Sequence, residues 1–127
     1  DYGVYFPVQS AACNALDEGE AFSQQLREQY KERANALCEG LGSIGWHVET
    51  PKAGMFVWAE LPSGWQSKSF ALQLIDSANV AVTPGIAFGP SGEGYVRIAL
   101  VQDVSTLLQA VKQIKNSNIL QINFLQK

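Results

Sequence analysis

Apolar residues recur along the chain with two spacings, three-to-four and two, and the switches between them mark out the elements. Val8, Ala11, Ala12, Ala15 and Leu16 form a short helical stripe, which residues 17–20 break. A longer stripe follows: Phe22, Leu26, Tyr30, Ala34, Leu37, Cys38 and Leu41 fall on one face, with Lys, Arg, Glu and Gln on the other. Gly40, Gly42 and Gly45 supply its stop. Residues 46–50 then alternate as a short strand, residues 51–54 turn, and residues 55–61 alternate again, so the two strands are expected to pair as a hairpin. Ser67 or Ser69 is placed to cap a helix carrying Phe70, Ala71, Leu74, Ile75 and Ala78. Residues 79–83 read as a strand, residues 95–100 as another, and Asp103 caps a last helix with Val104, Leu107, Leu108, Val111 and Ile114 at helical spacing. The expected fold is α+β, a small mixed or antiparallel sheet with helices packed on it. The apolar residues of the tail, 116–127, fit a helix or a strand equally.

Composition narrows the class. With 127 residues, 46% hydrophobic and 17% charged, the chain can bury one ordinary core. A net charge of −3 with nine basic residues and no basic cluster argues against nucleic acid as a partner. No apolar run reaches bilayer-spanning length, so a soluble protein without a membrane partner is expected, and two cysteines that read as reduced make a cytoplasmic one the expectation. Cys13 and Cys38 sit in helical stretches among apolar neighbours and read as reduced core thiols, a disulfide between them staying open. His47 alternates outward with Glu49 and has no Cys or Asp at ligand spacing, so it reads as a surface residue rather than a metal ligand or triad member. The chain opens at Asp1 without an initiator methionine and is expected to be a piece of something longer.

The chemistry concentrates in one stretch, VAVTPGIAFGPSGEGYVRIAL, residues 80–100. On its second strand Val96, Ile98 and Leu100 share one face while Tyr95, Arg97 and Ala99 share the other. Small Ala99 leaves space beside the guanidinium. An arginine so placed presents a planar fork that grips a carboxylate through two parallel hydrogen bonds, each contributing about 1.5–3 kcal/mol. From spacing alone the commoner alternative is an arginine paired with a surface acid. The glycines at 85, 89, 92 and 94 suggest a phosphate cradle only weakly, because a strand and not a helix follows them. A loop that needs glycine to align two strands accounts for them better.

Three stretches together, DYGVYFPVQSAACNAL, PKAGMFVWAELP and the one just quoted, resemble the C-terminal part of a class I/II aminotransferase. This is the fold type I family dependent on pyridoxal phosphate, and the wording of the stretches is most similar to its alanine aminotransferase and LL-diaminopimelate aminotransferase branch. The resemblance covers residues 1 to about 115. It implies a parent enzyme, a homodimer, that moves an amino group between an amino acid and a 2-oxo acid, with the cofactor as electron sink. Arg97 would bind the substrate α-carboxylate, Phe56 would line the substrate side of the pocket, and residues 84–89 would close over substrate on glycine hinges.

The same resemblance implies a lysine Schiff base preceded by a Ser-x-x-Lys motif, an Asp on the pyridine nitrogen, a Tyr on the ring hydroxyl and a phosphate cup. None can be placed here. Lys31, Lys52, Lys68, Lys112, Lys115 and Lys127 all read as solvated, so no catalytic or cofactor-binding residue is expected in this chain. The expected organisation is a remnant of the large domain in residues 1–20, the small domain in 21–115 and a tail outside the likeness in 116–127. Such a fragment is expected to be inactive alone. The alternative is a free-standing α+β module that binds a small carboxylate without chemistry.

Overall fold

The computed structural model describes residues 3–121. Two helices come first, α1 (Phe6–Glu18) and α2 (Glu20–Ser43), separated only by Gly19. Strand β1 (Phe56–Glu60), helix α3 (Ser67–Ala78) and strand β2 (Thr83–Pro84) follow. Two 3₁₀ turns (Gly85–Phe88 and Pro90–Gly92) lead into β3 (Tyr95–Ala99), α4 (Val104–Ser117) and a closing 3₁₀ turn (Ile119–Gln121). The class is α+β, as the sequence predicts. All pairing in the sheet is antiparallel in the order β1-β3-β2, so β3, the last strand in the chain, is the central one.

One face of the sheet is core. Val57 and Ala59 of β1 with Val96 and Ile98 of β3 are buried, and Leu100 continues the row. Leu37, Cys38 and Leu41 of α2, Phe70 and Leu74 of α3, and Leu107, Val111 and Ile114 of α4 cover them. Aromatic rings fill the larger gaps: Trp46 and Trp65 each meet Phe70 edge-on, with centroids 5.3 Å apart. Burying apolar surface in this way stabilises by about 25 cal/mol per Å². Ile119, in the tail, is also fully buried.

Several expectations fail at the edges of elements. Residues 46–50 form no strand, and the hairpin with β1 is absent among the described residues. Their alternation anchors an irregular run: Trp46 is buried and its indole N–H donates to the Glu60 carbonyl at 2.7 Å, a side chain taking the acceptor. The strand expected over 79–83 shrinks to Thr83–Pro84 because Asn79 turns left-handed (φ 53°) to close α3. The Asn79 and Val80 N–H groups then donate to Ile75 and Leu74, and are spent on the helix end.

Neither Ser67 nor Ser69 caps α3, since Ser67 already lies inside it. Its N–H donates instead to the Glu93 carboxylate, 26 residues later in the chain, at 2.6 Å. Cys13 is exposed rather than core, because α1 buries none of its residues; Cys38 is buried, burial raises its thiol pKa, and both cysteines are free. Asp103 caps α4 as expected, its carboxylate accepting from the Thr106 N–H at 2.8 Å. Of the tail, residues 116–117 end α4 and 119–121 turn, while the rest lies outside the described residues.

Candidate functional site

The face of the sheet opposite the core carries both candidate residues, Arg97 and Phe56. Strand alternation turns Phe56, Trp58 and Glu60 of β1 and Tyr95, Arg97 and Ala99 of β3 away from the buried row. Arg97 stands at the centre, opposite Trp58 on one side and Thr83 on the other. Its guanidinium carbon lies 4.2 Å from the Phe56 ring centroid and 4.6 Å from that of Phe88. Both distances fall within cation–π range. Trp58 stacks on Tyr95 with centroids 5.5 Å apart and meets Phe88 edge-on at 5.7 Å, so the rings form one continuous cluster.

The three arginines are held differently. Arg27 forms an ion pair with Glu20 at 2.8 Å, and Arg33 donates to the Leu100 carbonyl at 3.1 Å. Arg97, half-buried, pairs with no acid among the described residues. The surface ion pair that spacing favoured is therefore absent among the described residues. A guanidinium steadied by rings and left with its donors unspent can accept a carboxylate from outside.

The loop that delivers Phe88 is pinned at both ends. Gly85 and Gly92 lie so close that a Cβ built on Gly85 would fall 2.0 Å from the Gly92 carbonyl oxygen, and one on Gly92 would fall 2.1 Å from that of Gly85. Backbones can approach in this way only without side chains. The Ile86 N–H donates to Ser67 Oγ at 3.3 Å, and that buried hydroxyl donates to Glu93 Oε2 at 3.0 Å. Glu93 Oε1 accepts from the N–H groups of Ser67 and Gly94, which hold its carboxyl below the usual range, Ser67 contributing most. Gly85 and Gly92 thus serve close packing.

An open groove of about 900 Å³ runs beside the cluster, with Phe56, Trp58 and Tyr95 on one wall and Glu49, Lys52 and Glu60 among its polar residues. His47, exposed, is on its rim. A second, more apolar cleft of about 870 Å³ lies between α2 and residues 50–55, and Arg97 is among the walls of neither. The five described lysines, Lys31, Lys52, Lys68, Lys112 and Lys115, are all exposed. None has the desolvated setting that a Schiff base requires, and Lys127 lies outside the described residues.

Sequence reasoning selected Arg97 and Phe56, and they are in contact. It passed over Phe88, Trp58 and the Ser67–Glu93 tie. An aromatic set between the glycines of GIAFG was the available signal for Phe88, since a turn that exposes a large ring must use it for something other than the core.

The model of the family described as aminotransferase class I and II matches residues 4–114. The chain is 42% identical over 118 residues to a glutamate-pyruvate aminotransferase of Escherichia coli, covering 91% of this chain and 29% of that protein. To an LL-diaminopimelate aminotransferase of Maridesulfovibrio salexigens it is 43% identical over 114 residues, 90% of this chain and 29% of that protein. Among solved structures, BacF of Bacillus subtilis superposes with a TM-score of 0.84 at 33% identity, over 95% of this chain and 31% of that one. The chain thus spans about three tenths of the length of the curated relatives it matches. It belongs to the class I and II aminotransferase family.

Proposed function

We propose that this chain is the substrate-gripping part of a pyridoxal-phosphate-dependent aminotransferase, in which Arg97 binds the α-carboxylate of the amino acid and of the 2-oxo acid. The observation that carries the reading is a lone arginine at the centre of the sheet, set against two phenyl rings and without an acid partner among the described residues. Phe56 steadies the guanidinium and forms the near wall of the substrate site.

Residues 1–20 are read as a remnant of the large domain, 21–115 as the small domain and 116–127 as a tail. That α1 buries none of its residues supports assigning it to a body other than the small domain. The chain's exposed lysines do not fit the cofactor's covalent anchor, which is assigned to the remaining length that relatives possess. Alone, the chain is expected to be inactive. The parent is read as a cytoplasmic homodimer.

Arg97→Lys in the full-length protein tests this. Lysine keeps the charge and loses the fork, so KM for amino acid and 2-oxo acid should rise by about one to two orders of magnitude while cofactor absorbance stays unchanged. Unaltered KM values for both substrates would remove Arg97 from the site.

A further inference from the structure

Phe88 is 52% exposed, and its ring partners are Arg97 and Trp58, not the core. Folding gains little from a phenyl ring that stays half in water, so burial does not account for it. The turn beneath it is, by contrast, closely specified. Gly85 and Gly92 meet backbone to backbone, the Ile86 N–H is tied to Ser67, and Ser67 is tied to Glu93. The ring is thus held at a defined place beside the guanidinium while remaining open to solvent.

Phe56 and Phe88 both reach Arg97, from elements on opposite sides of β3 in the sheet order, one on β1 and the other just after β2. We propose that Phe88 is a positioning residue for Arg97, the second jaw of an aromatic clamp whose first jaw is Phe56. The clamp restrains a long, flexible side chain so that its N–H fork meets a planar carboxylate already oriented. Ring quadrupole and cation attract, and the restraint lowers the ordering cost of binding. The inference rests on the reading of Arg97 as the carboxylate-binding group.

The test uses the full-length holoenzyme and propionate, a carboxylate without an amino group, as a dead-end inhibitor. Phe88→Ala and Phe88→Leu should each weaken propionate about three- to tenfold, with melting temperature and cofactor absorbance unmoved. Leucine keeps apolar bulk and lacks the π face, so its agreement with alanine separates the ring from packing. Phe88→Tyr should restore binding to within about twofold, and Arg97→Lys should lose more than any of these.

If Arg97→Lys weakens propionate while Phe88→Ala and Phe88→Leu do not, the clamp is overturned and the carboxylate site stands. Tyrosine binding as weakly as alanine overturns it equally. Propionate indifferent to Arg97→Lys overturns the carboxylate site and the clamp with it.

Discussion

Two regions of this molecule expose large apolar side chains, and they do so in opposite ways. Along α1 and the residues beside it, Tyr5, Phe6, Val8, Leu16 and Phe22 stand in solvent, Leu16 at 85% exposure, and α1 has no buried residue. On the open face of the sheet Phe56, Trp58 and Phe88 are also exposed, yet they touch one another, Tyr95 or Arg97. Exposure alone does not distinguish the regions. Ring contact does: the rings of the first set meet no other ring among the described residues, while the second is an assembly around a charge, held by the loop beneath it.

Substitutions should separate the two. The largest effect is expected at Gly85→Ala, whose new methyl would meet the Gly92 carbonyl oxygen 2.0 Å away, a backbone atom that cannot swing aside. Overpacking of this kind costs about 1–3 kcal/mol. Urea unfolding should register that loss, and near-ultraviolet dichroism should change as Phe88 leaves Trp58. An unaltered dichroism spectrum would mean that the turn does not hold the rings.

A smaller effect is expected at Glu93→Gln, and it should depend on pH. The Ser67 N–H, then the Gly94 N–H, lower the Glu93 pKa in the folded chain. A depressed folded pKa contributes stability above the unfolded value of about 4.3 and loses it as pH falls through the folded one. The parent should therefore melt above Glu93→Gln at neutral pH, and the gap should close in acid. A gap independent of pH would show that the carboxylate's charge is not what ties the turn to α3.

Leu16→Ser should do least. A side chain already in water has no packing to lose, so stability should change by less than about 0.5 kcal/mol, with the aromatic dichroism untouched. A loss above about 1 kcal/mol would give α1 a partner in this chain and dissolve the contrast.

The two faces of β3 were legible because it obeys a period of two without exception: Val96 and Ile98 inward, Tyr95, Arg97 and Ala99 outward. The later part of the α2 stripe, Ala34, Leu37, Cys38 and Leu41, and the Asp103 cap were legible for the same reason, both being local patterns, while Phe22 and Leu26 of that stripe stay exposed. What failed was non-local or spent elsewhere. Glu93 reaches α3 across 26 residues and displaces the expected serine cap, a competition that no window of sequence displays. Trp46 and Val48 alternate as a strand would, but the alternation seats an indole in the core. Cys13 lies on an amphipathic pattern whose apolar side is left uncovered by the described residues.

Arg97 sits on the middle strand, knitted to a neighbour on each side. Shifting it would mean breaking two ladders at once, whereas the edge strand β1 is paired on one side only. Variation in such a scaffold should therefore be tolerated first along that outer strand, with the middle of the sheet left in place.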